Sequence, residues 1–334
     1  MLDQSYTISS VDELEERIGE RPATIDLKVI DHLDAGALEW IACSPLAVLG
    51  LACSDGLRAT LAGGTSGFME ADRTTLRIPR DSIDEAPNIE PGAGFGSLLV
   101  APQIGETLRI NGSIIECKVD CYIVQVDECF IHCAKAMLRS DFWKVAEREA
   151  PIGERSDLLS SARFLALVSM DDKSRVDVSP KGDPAGSLVR SEGNELWIAD
   201  RPGNLKADSF NNMLAQPKIA GLLLEPRNSQ ILQFSGNARA STNPLKNVLA
   251  VDGKNPKIAM QIELDEIQEW KSKALQSSKI WLLPKPALKG SKTLLGHLRL
   301  NKEATLAKSL GSAYPPEPDA LQQGLDKDYS ANLY

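Results

Sequence analysis

The chain has 334 residues, 43% of them hydrophobic, and a formal net charge of -9. That length is comfortable for two domains and that apolar content supports a real core. The acidic balance argues against nucleic acid or an anionic membrane as the main partner, and it leaves a local basic cleft open.

In chain order, Met1 to Ser10 has neither a basic stretch nor an apolar run, so no secretory leader is expected. Ser9 to Gly19 predicts a short amphipathic helix, with Ser10 and Glu13 at capping-box spacing and Gly19 as its stop. A second helix is expected from about Ile25 to Ile41. Pro45 to Cys53 is too short to span a bilayer and predicts a buried strand. Strands follow at Arg58 to Ala62, Thr74 to Ile78, Ser97 to Ala101, Thr107 to Glu116 and Tyr122 to Val126, then a helix from about Glu128 to Trp143. After a linker near Lys144 to Ser156, strands are predicted at Phe164 to Met170, Arg175 to Ser179, Glu195 to Ala199, Ala220 to Leu224, Ile231 to Ala240 and Ile258 to Leu264. A helix is expected at Glu266 to Trp281, and a Pro-rich, acidic tail from about Gly311.

All six cysteines, Cys43, Cys53, Cys117, Cys121, Cys129 and Cys133, precede residue 134. Without a leader, free thiols in a reducing cytosol are the default, so the expected location is cytoplasmic. The C-x-x-x-C spacings lack the turn chemistry of zinc sites, and no metal is expected.

The pattern repeats internally. L-L-V-A-P-Q-I-G-E-T-L-R-I-N-G, ending at Gly112, lies over L-L-L-E-P-R-N-S-Q-I-L-Q-F-S-G, ending at Gly236, with Pro102 on Pro226. H-C-A-K-A-M-L-R-S-D-F-W lies over W-K-S-K-A-L-Q-S-S-K-I-W, with Lys135 on Lys273 and Trp143 on Trp281. A period of this size reads as two tandem domains, not an array. The expected division is 1–150, 151–285 and a C-terminal extension over 286–334.

One stretch carries chemistry. Trp197-Ile198-Ala199 ends in Asp200-Arg201-Pro202-Gly203-Asn204, with Lys206 and a helix start at Asp208-Ser209 beyond it. Cationic side chains beside a helix start suit a phosphate. Together with the upstream V-D-V-S-P-K-G-D-P-A-G and the strand ending S-G-N-A-R-A, this stretch resembles the pyridoxamine 5'-phosphate oxidase-related FMN-binding split barrels. G-E-T-L-R-I-N-G and E-C-F-I-H-C-A-K-A-M-L-R-S-D-F-W in the first half resemble the same family, and the likeness covers most of residues 9 to 281.

The resemblance implies a mainly β (α+β) chain. Two tandem split β-barrels would form a pseudo-dimer within one chain, with flanking helices, FMN in the cleft between them, and further homodimerisation left open. It implies a cofactor site of Ser179, Pro180, Lys181, Asp200, Arg201, Pro202, Gly203, Asn204, Lys206 and Ser209. Thr107, Arg109 and Lys135 would contribute from the first half, with His132 and Arg139 facing substrate as proton donor and anion clamp.

The halves differ in a complementary way. The first lacks the cradle lysine, with Ala62-Gly63-Gly64 opposite Ser179-Pro180-Lys181. The second has Ile231, Gln233, Trp270 and Ser277 opposite Thr107, Arg109, His132 and Arg139. One composite site and one degenerate site are therefore expected. The activity implied is that of an FMN-dependent oxidoreductase acting on a small molecule, with NAD(P)H a candidate electron donor. The alternatives are a flavin-binding protein without turnover, or a haem-binding split barrel with His132 or His297 as ligand.

Overall fold

The computed structural model describes residues 6–20, 29–146, 158–203 and 207–286, with Gln323, Lys327, Tyr329, Leu333 and Tyr334. Most of the predicted linker, the start of the second predicted helix, most of the C-terminal extension, His297, Asn204 and Lys206 lie outside the described residues.

The leading helix α1 (Val11–Ile18) begins where the sequence places it. Ser10 caps it by accepting from the Glu13 N–H, and Gly19 ends it at a φ of 106°. It does not pack on the first half. The Ile8 N–H donates to the Ala240 carbonyl, and Ile8 and Leu14 are buried among second-half residues. Helix α2 (Ala35–Cys43), capped by Asp34, covers the first half.

Strands β1 (Leu46–Cys53), β2 (Gly56–Gly63), β3 (Glu70–Ala71), β4 (Thr75–Pro79), β5 (Gly94–Val100), β6 (Thr107–Cys117) and β7 (Cys121–His132) precede helices α3 (Lys135–Arg139), α4 (Phe142–Ala146) and α5 (Leu158–Ser161). Then come β8 (Phe164–Met170), β9 (Val176–Gly182), β10 (Arg190–Glu192), β11 (Glu195–Ala199), α6 (Asp208–Ala215), β12 (Lys218–Leu224), β13 (Gln230–Ser241), β14 (Ala259–Lys271) and α7 (Lys273–Ser278).

They form two seven-stranded antiparallel sheets. From one edge to the other, the first runs β2-β1-β5-β6-β7-β4-β3 and the second β9-β8-β12-β13-β14-β11-β10. The same order therefore occurs twice. Each sheet shifts register at a glycine, Gly112 in one and Gly236 in the other. Neither closes into a barrel. The first curls until β2 meets the segment after β4 through the single bridge Ala62↔Ile83. The seventh strand in each is a short edge piece, β3 or β10, which the sequence did not announce.

Period-two alternation sorts the side chains. On β1, Ala47, Leu49 and Leu51 face the first sheet's own core, while Leu46 and Val48 face the other half. On β8, Leu165 and Leu167 turn inward, while Phe164, Ala166 and Val168 face the boundary. The boundary is thus a third core built from both halves. Trp143 and Trp281 meet across it with ring centroids 6.0 Å apart, and Phe142 lies against both.

Both helices predicted after the long strands begin too early. Residues 128–132 and 266–271 are strand. The pairs Thr107↔His132 and Ile231↔Trp270 hold them extended, against the helical propensity of E-I-Q-E-W-K. Register also corrects the repeat. Leu46 pairs with Gly63 and Phe164 with Gly182, so Ser179-Pro180-Lys181 lies opposite Thr60-Leu61-Ala62, not Ala62-Gly63-Gly64. The cradle lysine is still absent from the first half.

The two glycines share a duty. A Cβ at Gly182 would lie 2.0 Å from the Ala136 carbonyl oxygen, and one at Gly63 would lie 2.2 Å from that of Ala274. Each lets a helix of one half rest on a strand of the other. Gly182→Ala is expected to cost about 1–3 kcal/mol of stability, since backbone must move. Gly203→Ala, whose methyl among the described residues meets only the Arg201 carbonyl at 3.9 Å, should leave the urea midpoint unchanged.

Candidate functional site

A cavity of about 560 Å³ opens where the end of β7 and helix α3 meet β9, the end of β11 and the start of α6. From the first half it is lined by His132, Lys135 and Arg139. From the second it is lined by Ser179, Pro180, Lys181, Asp200, Arg201, Pro202, Gly203 and Ser209. These sequence candidates are brought together.

The alternation of β9 explains half of the site. Val176 and Val178 point into the boundary core. The odd-numbered residues turn the other way. Asp177 and Ser179 meet the Arg109 guanidinium, and Lys181 and Asp183 follow along the cavity wall. At the start of α6, Ala207 adopts a left-handed φ of 52° and offers no side-chain cap. Among the described residues no capping side chain satisfies the first N–H groups of that helix.

Thr107 and Arg109 lie beneath the cavity and not in its lining. Arg109 is fully buried. Its Nη1 donates to Asp177 and to Asp208, each at 3.1 Å, and its Nη2 donates to the Ser179 hydroxyl at 2.9 Å. Its guanidinium also stacks over Phe130, 5.1 Å from the ring centre. Arg109 therefore ties the first sheet to the wall and helix start of the second half. Thr107 carries a buried hydroxyl with no hydrogen-bond partner among the described residues.

Charges crowd the cavity. Arg201 donates from Nε to Asp183 at 2.8 Å and from Nη2 to the Leu249 carbonyl at 2.7 Å. Lys181 has neither a hydrogen bond nor an ion pair among the described residues, and its ammonium lies 5.7 Å from the Phe210 ring centre. Burial pushes the Lys181 pKa below the ordinary lysine value, with Asp200 opposing. Burial raises Asp200 and Asp183, and Lys181 leads the groups opposing it at Asp200 while Arg201 does so at Asp183. Burial also lowers Arg139. An anion entering here meets cations partly shielded from water, where charge pairing is stronger than at an open surface.

Sequence reasoning missed Asp183, Phe210, Lys254, Lys257 and Tyr334, which also line the cavity. Asp183 was within reach, since it follows Lys181 by two, just past the end of β9.

The matching place on the opposite side of the boundary carries an acidic group of its own. The buried Asp84 carboxylate accepts from the Ser272 hydroxyl and, at 2.9 Å, from the Ala274 N–H at the start of α7. Trp270 stands where His132 stands in the open site, as the equivalent pairs Ile231↔Trp270 and Thr107↔His132 require. Among the described residues no group of three or more His, Cys, Asp or Glu side chains is placed to hold a metal, and all six cysteines are free.

The fold and the site define a two-sheet protein with a basic pocket built across its internal boundary. Neither a scan of protein-family models nor a comparison with curated protein sequences gives a match. Solved structures align with parts of the chain. A protein related to general stress protein 26, of the pyridoxinephosphate oxidase family, from Clostridium acetobutylicum is 12% identical over 34% of this chain and 83% of its own, at a TM-score of 0.27. An F420 reductase is 14% identical over 35% of this chain and 97% of its own, at 0.27. A heme storage protein from Vibrio cholerae is 10% identical over 34% of this chain and 89% of its own, at 0.25. Scores this low carry no weight for function, which has to be argued from the site. No helix among the described residues is long and apolar enough to cross a membrane.

Proposed function

We propose that this chain is an FMN-dependent oxidoreductase of the split-barrel type, a tandem duplication with one composite flavin site. The observation that carries it is Lys181, a half-buried ammonium without a hydrogen bond or ion pair among the described residues, on the wall of a cavity contributed by both halves. Such a cation is matched by a phosphate. The cavity volume lies within the range of cofactor pockets.

The fit extends to the surroundings. Lys181, Ser179, Ser209 and the uncapped start of α6 would hold the phosphate, with Arg201 beside it and braced by Asp183. FMN, when bound, supplies hydride or electron transfer. The chain's own residues bind, orient and shield it. His132 and Arg139, on the first-half wall, are the proton donor and the clamp for a substrate anion, imidazole being the side chain most used for proton transfer near neutral pH. The reading of a single site is supported by the Asp84 carboxylate, which supplies the opposite side with an anion of its own. The reaction takes place on an unidentified small molecule, with NAD(P)H as the candidate donor, in the cytoplasm.

The absorbance spectrum of the purified protein is the test. Flavin bands that bleach with NAD(P)H and return in air are expected. Flavin bands that do not bleach would leave a binding protein, and a Soret band would replace flavin with haem ligated by His132.

A further inference from the structure

The cavity already has an occupant at one wall. The Leu333 carbonyl accepts from Arg139 Nε, and Arg139 Nη2 donates to the Pro202 carbonyl. The Tyr334 ring lies 5.8 Å from the Arg139 guanidinium and 5.7 Å from that of Arg201. Lys254 donates to the Tyr334 main-chain oxygen at 3.1 Å. Further back, the Tyr329 hydroxyl accepts from the Ala134 N–H, beside helix α3, at 3.1 Å. Three cations of the pocket are thus engaged by one short segment nearly two hundred residues away from Arg139 in sequence.

We infer that the Leu333–Tyr334 segment is an intramolecular competitor for the pocket, docked where an incoming anion would reach the Arg139 and Arg201 guanidiniums. The inference rests on the reading of the cavity as an anion site. It goes beyond that reading in assigning the site a self-occupied state.

The geometry argues for competition and not for a fixed wall. Aromatic stacking on two guanidiniums and hydrogen bonds to main-chain oxygens are the interactions a ring-bearing anionic ligand would itself make. Arg139 cannot give Nε to Leu333 and to a ligand at once. Burial also pushes the Tyr334 phenol up to about 12, so the ring enters as a neutral group. A ring held on the guanidiniums by cation–π contact can be displaced by an anion that makes charge-assisted hydrogen bonds to them. A docked-to-free ratio of roughly 10 weakens apparent ligand affinity about tenfold, the population cost of a partly available site.

The test uses the full chain. FMN titration followed by flavin fluorescence should give about tenfold tighter binding for Tyr334→Ala than for the unaltered protein. Equal or weaker binding would overturn the inference, because Tyr334 would then be a bystander or a wall that the ligand needs. A second arm does not depend on flavin. Hydroxyl-radical footprinting should show Tyr334 protected, with oxidation rising several-fold in Arg139→Gln and on adding FMN or inorganic phosphate. If FMN fails to bind but phosphate exposes Tyr334, the inference stands and the flavin reading falls. If neither ligand nor the Arg139 change exposes Tyr334, the segment is not a competitor.

Discussion

Arg109→Met should lower the stability of the chain by about 3–5 kcal/mol, the largest single-residue loss expected outside the hydrophobic cores. The reason is what would be left behind. Arg109 is fully buried, and Asp177 and Asp208 are both largely buried around it. Removing the guanidinium leaves two carboxylates without their cation, and the Ser179 hydroxyl and the Asn111–Asp177 contact at 2.8 Å lose their organiser. Asp177 is also bonded by Asn212 at 2.9 Å, so the disturbance reaches α6. Urea unfolding followed by tryptophan fluorescence measures this. Arg58→Met, which breaks an exposed pair with Asp55, should move the midpoint little. A midpoint for Arg109→Met as high as that of the Arg58 variant would mean that the buried cluster does not hold the halves together.

Lys181→Ala should weaken FMN binding by about 1.5–3 kcal/mol, or about 10- to 150-fold, and leave riboflavin binding nearly unchanged. The difference isolates the phosphate, since riboflavin lacks it. Arg201→Ala should lose in the same direction, with some loss of stability because Asp183 is then buried without its partner. Arg80→Ala is the control. Arg80 stacks over Tyr122 at 5.0 Å on the corresponding turn of the first half and should matter little to the ligand. The pH dependence has a defined sign. Burial lowers the pKa of Lys181, and only the protonated form pairs with phosphate. FMN affinity should therefore fall as pH rises through a value below the ordinary lysine range, and this limb should vanish in Lys181→Ala. Isothermal titration with both ligands measures each effect. Equal losses for riboflavin and FMN would detach Lys181 from the phosphate.

Much of this was legible in the sequence, and the reason is periodicity. Glu195–Ala199 and Phe164–Met170 are strands as expected, because short apolar runs between turn signals have few other solutions. The matched spacings of Pro102 and Pro226 anticipated two sheets with the same strand order. What failed depended on partners far away in sequence. Residues 266–271 favour a helix locally, and only pairing with β13 makes them strand. Arg109 looked like a polar residue facing a cofactor. Nothing in G-E-T-L-R-I-N-G reveals that Asp177 and Asp208 would surround it, since that requires the register of one half against the other. The docking of Ile8 and Leu14 on the second half's core, and of Tyr334 in the pocket, brings together residues far apart in sequence. No local pattern encodes contacts of that kind.

The central claim is that the two halves build one ligand site between them and that the second is closed by Asp84 and Trp270. Flavin stoichiometry tests it most directly. The protein is saturated with FMN, freed of unbound ligand and denatured, and the released FMN is measured against protein quantified by amino-acid analysis. One FMN per chain is expected, falling strongly in His132→Trp, which copies the closed side into the open one, and unchanged in Trp270→His. Two FMN per chain, or one that is lost in Trp270→His and kept in His132→Trp, would contradict it.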